Sequence, residues 1–146
     1  MTKNDESVMT VEQARKISAP LYEALNQPAN KDVSALLAAA CNDDYRSYHT
    51  NQDYLTRDQL VDVFTNMGTT IPDLTWEVVD IHVVDDVMIV RGKATGTPVA
   101  EFWGTEPTGK SFRTMAIDLF TVRDGKLATG YHIENWTTAL QQLRRS

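Results

Sequence analysis

The sequence predicts an α+β fold in which helices come first and a curved antiparallel sheet follows. Three observations carry this reading. Apolar positions recur at helical spacing from about residue 10 to residue 68. From Leu74 onward the period falls to two and β-branched residues take over. Turn signals then divide the second half into hairpins, Asp85-Asp86 in one and Arg123-Asp124-Gly125 in the other. Helices grouped ahead of an antiparallel sheet pack on one of its faces. A curved sheet closed by helices leaves a pocket between them, where small-molecule sites are usual.

The first helix opens at Thr10, which forms a capping box with Gln13. Val11, Ala14, Ile17, Leu21, Ala24 and Leu25 make its apolar side, and Pro20 is expected to kink it or to begin a second segment. Asn30 is expected to cap the next helix, with Val33, Leu36, Leu37 and Ala40 facing inward. Thr56 and Gln59 repeat the capping box ahead of Leu60, Val61, Val63, Phe64 and Met67, and Gly68 is expected to end that helix. Residues 45–54, between these helices, are polar and aromatic and read as irregular or short strand. Strands follow at 75–84 and 87–95, with a short one at 99–103. A Pro/Gly loop covers 105–110. The last hairpin has strands at 111–122 and 126–135, and 137–143 reads as a closing helical turn.

At 146 residues, 42% hydrophobic and 23% charged, the chain fits one soluble domain with a sizeable core. Residues 1–9 are polar and acidic and are expected to be flexible, leaving 10–146 as the domain. A net charge of -6 argues against nucleic acid or an anionic membrane as the main partner. No apolar run approaches a membrane span, and the N-terminus lacks a secretory pattern, so a cytoplasmic location is the expectation. The single Cys41 sits in an apolar run and reads as a buried, inert thiol. The three histidines are scattered without metal-ligand spacing, so neither metal nor cofactor is expected. His82 reads as part of an exposed strand face.

The chemistry concentrates in the last hairpin, and its register decides it. A two-residue loop, Asp124-Gly125, would pair Arg123 with Lys126, set Asp118 opposite Tyr131 and send His132 to the other face. A three-residue loop with Gly125 in a bulge would pair Val122 with Lys126 and set Ala116 opposite His132. Asp118 and His132 then become same-face diagonal neighbours, roughly 7–8 Å apart at Cα. The expectation here is the three-residue loop, because Gly125 stands where that bulge needs positive φ. Asp118 shares its face with Phe112, Ala116, Phe120 and Val122, so it is expected to face a cavity rather than water. The opposite face carries Met115, Ile117, Leu119, Leu127, Tyr131 and Ile133. That patch is too apolar to leave in water, and a homodimer is expected to cover it.

Ile71-Pro72-Asp73-Leu74-Thr75-Trp76, the run Asp86 to Thr97, the Pro-Thr-Gly-Lys loop ahead of Ser111 and the Asp-Gly-Lys hairpin together resemble the SnoaL-like polyketide cyclases, in the superfamily of nuclear transport factor two-like proteins. The closing Leu140-Gln141-Gln142-Leu143 fits the same pattern. The resemblance implies a cone-shaped α+β barrel open at one end onto an apolar cavity, and dimers or higher assemblies made through the outer sheet face. In cyclases of this family an Asp on the last strand is the general acid/base and a His on the preceding strand lies near it. Those positions fall on His132 and Asp118, so the two residue types are exchanged here. The superfamily also holds isomerases, hydrolases, dehydratases and plain binding modules, so the fold alone does not choose the chemistry.

The expected function is a cofactor-independent cyclase or isomerase acting on an apolar carbonyl compound. His132 would remove a proton and Asp118 would orient the ring, or Asp118 itself would be the base. Tyr48, His49, Phe64, Phe102, Trp103, Phe112, Thr114 and Trp136 are the expected ligand-binding residues. Glu134 continues the His132 face and reads as a solvated strand end. The alternatives are a non-catalytic binding module with the same pocket, and an oligomeric structural module with a vestigial cavity.

Overall fold

A computed structural model describes residues 9–145. Most of the expected flexible segment 1–9 lies outside the described residues; its last residue, Met9, is buried against the core. Both capping boxes form as read. Thr10 and Gln13 start α1 (Val11–Ala24), which continues through Pro20. A 3-10 turn at Pro28–Asn30 leads to α2 (Val33–Ala40), whose cap is Asp32, accepting from Ala35 N, and not Asn30. Thr56 and Gln59 start α3 (Arg57–Thr70). Gly68 lies inside that helix and does not end it. A Cβ there would come within 2.7 Å of Ala29 N and 2.9 Å of Pro28, so glycine admits the preceding turn.

The helices pack against a curved six-stranded sheet of order β2-β1-β6-β5-β4-β3. The strands are β1 (Cys41–Tyr48), β2 (Tyr54–Thr56), β3 (Thr75–Val84), β4 (Val87–Gly96), β5 (Phe112–Arg123) and β6 (Lys126–Glu134), and α4 (Trp136–Arg144) closes the chain. The sheet does not close into a barrel: β2 and β3 are its edges. It is also not wholly antiparallel, nor confined to residues after Leu74, because β1 pairs parallel with β6. The sequence of β1, Cys-Asn-Asp-Asp-Tyr-Arg-Ser-Tyr, buries only Cys41 and Tyr45, so its polar composition hides a strand that tertiary pairing imposes. The expected strand at 99–103 is absent. In its place Phe102 and Thr105 exchange two backbone hydrogen bonds across a tight Trp103-Gly104 turn with both residues at positive φ.

The β5–β6 hairpin departs from the three-residue loop expected for it. Arg123 pairs with Lys126, and Asp124 (φ 56°) and Gly125 (φ 77°) form a two-residue turn with positive φ at both positions. The register then shifts by one residue. Val122 pairs with Leu127 but Thr121 pairs with Thr129, leaving Ala128 as the extra residue of a bulge. Because side chains alternate along a strand, that single residue moves everything beyond it to the opposite face. Asp118 therefore lies directly opposite His132 on one face. Leu127, expected on the outer face, is fully buried, and its neighbour Ala128 is buried beside it.

Phe112, Thr114, Ala116, Asp118 and Phe120 alternate inward along β5, each no more than 5% exposed. They meet Leu21, Leu25, Leu37, Leu60 and Phe64 from the helices in one core. Fully burying a side chain such as Leu37 contributes roughly 1.5–3 kcal/mol, and this burial holds the helices over the inner sheet face. Cys41 is fully buried, and desolvation pushes its thiol up to about 12 despite Arg57 and Lys126 nearby, which leaves it inert. His82 is exposed on the edge strand β3, as read.

Candidate active site

Asp118 is 5% exposed, and both of its oxygens are taken. The Tyr22 hydroxyl, carried across from α1, donates to Oδ2 at 2.6 Å. His132 Nδ1 makes a short hydrogen bond to Oδ1. A buried carboxylate needs such donors, because desolvation without them costs several kcal/mol. Burial also raises the Tyr22 hydroxyl well above its ordinary value, and the Asp118 charge adds to the rise, so Tyr22 stays a donor.

His132 presents its other edge to Glu134, with Nε2 at 3.4 Å from Oε1. Burial pulls the imidazole pKa down, but the charge and hydrogen bond of Asp118, helped by Glu134, outweigh it and lift the value to about 10. At neutral pH His132 is an imidazolium held between two carboxyl groups. Its side chain remains 34% exposed, on the wall of the cavity. Trp76 flanks it, ring centroids 5.9 Å apart.

Glu134 is not the solvated strand end that the sequence suggested. Its side chain is 1% exposed, and neither oxygen has a hydrogen-bond partner. The approach of His132 Nε2 falls within ion-pair range without hydrogen-bond alignment. Burial raises the Glu134 pKa, His132 opposes the rise, Asp118 adds to it, and the result is about 7. Its inward position follows from the same bulge that turns His132 inward.

These groups border an apolar cavity of about 520 Å³ between the helices and the sheet. Leu21 of α1 and its cap Leu25, Leu60, Val63, Phe64 and Met67 of α3, Leu55, Phe120, Trp103 and Trp136 line it, with Tyr45 and Ser47 of β1 and the following His49. Gly130 makes room for Tyr45. A Cβ there would collide with the Tyr45 hydroxyl and lie 2.9 Å from the Phe120 ring.

Of the expected ligand-binding residues, His49, Phe64, Trp103 and Trp136 line this cavity and four others do not. Tyr48 points to the outer face, where it stacks on Tyr131 at 4.9 Å, because Tyr45 and Ser47 of β1 and the following His49 alternate inward. Phe102 and Phe112 form a second layer behind the wall. Phe102 stacks under Trp103 at 4.6 Å, and both pack edge-on against Trp136. Thr114 gives its hydroxyl to Asn135 O at 2.6 Å. Sequence reasoning missed Tyr22, Tyr45 and Trp76, which appear as ordinary core aromatics, and it undervalued Glu134. The i, i+2 spacing of His132 and Glu134 on one strand was the available signal for the last of these. Among the described residues no group of three or more His, Cys, Asp or Glu is arranged to hold a metal ion, and no helix is long and apolar enough to cross a membrane.

Residues 19–143 match the sequence profile of the family described as SnoaL-like polyketide cyclase. No functionally curated protein matches the chain. Among solved structures, IdmH from Streptomyces antibioticus, a proposed polyketide cyclase, is 28% identical with a TM-score of 0.78, over 90% of this chain and 98% of that one. TsrD from Streptomyces laurentii is 18% identical with a TM-score of 0.79, over 93% and 98% of the two chains. AclR from Streptomyces galilaeus, a proposed hydroxylase, is 22% identical with a TM-score of 0.77, over 92% and 97%. At these lower identities the last two likenesses speak for the fold.

Proposed function

Since the chain belongs to the SnoaL-like polyketide cyclase family, we propose that it is a cofactor-independent cyclase or isomerase acting on an apolar carbonyl compound, with the Asp118–His132 pair at the centre of its site. The observation that carries this reading is the buried Asp118–His132 pair on the wall of a large apolar cavity. Such reactions move a proton from the carbon next to a carbonyl and build negative charge on its oxygen. A preorganised cation in a desolvated site stabilises that charge more than water does. His132 fits that role. Asp118 fixes the ring through Nδ1, and the imidazolium faces the cavity. Because His132 keeps its proton up to about 10, it enters as the acid, which argues against the expectation that it removes the substrate proton. Asp118, with both oxygens already accepting, is the orienting residue.

The test is exchange and turnover of apolar β-dicarbonyl compounds, read as loss of α-protons to D2O and as isomeric product of unchanged mass. His132→Ala and Asp118→Asn are each expected to lower the rate on the order of 10²-fold or more. The double variant is expected to lose less than the product of the two, because the residues act as a unit. Compounds that bind in the cavity yet neither exchange nor cyclise would refute the enzymatic reading in favour of a binding module.

A further inference from the structure

We propose that Glu134 is the proton-accepting residue of this site, taking the carbon-bound proton of the ligand while His132 faces the oxygen that becomes negative. The assignment rests on the acid–base reading of the cavity given above. Four observations lead to it. Asp118 has no free oxygen, and His132 enters already protonated, so neither is available to accept a proton. Glu134 borders the cavity, projects from the same face of β6 as His132, and makes no hydrogen bond through either oxygen. A carboxylate buried to 1% exposure with only an unaligned ion pair to His132 Nε2 at 3.4 Å is costly, and the missing hydrogen-bond partner is what an incoming ligand supplies. With its value brought to about 7, the group is ionised often enough at neutral pH to act and basic enough to pull.

The step balances without any further reactant. The ligand C–H bond breaks, its electron pair forms the enolate, and the proton forms an O–H bond on Glu134. The negative oxygen is met by the imidazolium. In an isomerisation the proton returns to a different carbon. In a ring closure the enolate carbon bonds to a second carbonyl carbon, and Glu134 returns the proton to that carbonyl's oxygen. The groups facing Glu134 that set its titration are His132 and Asp118 on the sheet, with Tyr22 from α1 bonded to Asp118. Tyr45 and His49 from β1 complete the titratable lining.

The experiment uses 5-nitrobenzisoxazole, a flat apolar compound whose ring opens to a coloured phenolate when one carbon-bound proton is removed. The full chain is expected to accelerate the opening, with a pH–rate profile rising to a plateau around a midpoint near 7. Glu134→Gln is expected to lose on the order of 10²-fold or more. Glu134→Asp, one methylene shorter, is expected to keep part of the rate and the sigmoid shape, which guards against a folding artefact. His132→Asn removes the cation that opposes the burial effect, so its midpoint is expected to move above that of the wild type. In parallel, the carboxyl carbon resonance missing from Glu134→Gln is expected to titrate near 7. If Glu134→Gln keeps its rate while His132→Asn loses it, the assignment fails and the Asp118–His132 reading stands. If both variants keep the wild-type rate, or the folded wild type gives no acceleration, both readings fail. A Glu134 that titrates in the ordinary carboxylate range overturns the assignment by itself.

Discussion

Asp118, His132 and Glu134 form one electrostatic unit, and its pH dependence is predictable in sign. The folded value of Glu134 lies near 7 against an ordinary 4.5, so over that interval the folded chain holds a proton that the unfolded chain has released. Stability from this group is complete below about 4.5 and is lost as the pH rises through about 7. Glu134→Gln removes the loss. The melting temperature of Glu134→Gln relative to wild type is therefore expected to climb between about pH 4.5 and 7 and then level off. His132 has the same sign in a later window. Its proton is retained to about 10, so its contribution is complete below the ordinary imidazole value of ~6.5 and declines as the pH rises to 10. Wild type is expected to lose stability across that second window, and His132→Asn is expected to lack this component. Thermal melts at a series of pH values check both. Asp118 and His132 were legible as residues because a carboxylate in the run Met115-Ala116-Ile117-Asp118-Leu119-Phe120 and a histidine on the return strand are unusual. Tyr22 was not, since a tyrosine on the apolar side of a helix signals core until its partner, 96 residues away, is known.

At the scale of elements, the β5–β6 hairpin shows two local features acting together. The turn at Asp124-Gly125 uses two residues, and the bulge at Ala128 supplies the one-residue shift expected from the turn itself. The outcome expected for the site, both residues on one face, came from a different cause than the one read from the sequence. Deleting Ala128 is therefore expected to give an unbroken ladder in which Thr121 still faces Thr129 and Asp118 still faces His132 on the inner side. His132 then keeps its contact with Asp118, and an NMR titration of its ring is expected to show it still titrating near 10. Gly125→Ala forces a side chain to φ 77° and is expected to cost about 1 kcal/mol, read in denaturant melts, with the site geometry retained. Gly130→Ala is expected to cost more, roughly 1–3 kcal/mol, because its Cβ would displace the Tyr45 hydroxyl and the Phe120 ring from the cavity wall.

At the scale of the whole molecule, the outer sheet face remains apolar. Met115, Ile117, Tyr131 and Ile133 are 51%, 37%, 43% and 66% exposed and adjoin one another on β5 and β6. A monomer seldom leaves such a patch in water. The expected state is a two-fold homodimer through this face, seen as a dimer by sedimentation at micromolar concentration. Ile117→Asp with Ile133→Lys is expected to yield a folded monomer. A wild-type chain that sediments only as monomer would refute this.

The N-terminal helices, the strands β3 to β6, both capping boxes, the inward alternation of β5 and the family were legible in the sequence, because each is written in local periodicity, caps and short motifs. What only the tertiary structure decided are relations between distant segments. They include the parallel pairing of the polar strand β1 with β6, the bulge that turns His132 and Glu134 inward, and the delivery of Tyr22 to Asp118. A strand's register depends on every residue between its turn and the site, and one extra residue reverses its faces. Likewise, whether Glu134 meets water or a closed cavity is set by what packs over it, and its own neighbours in the chain carry no record of that.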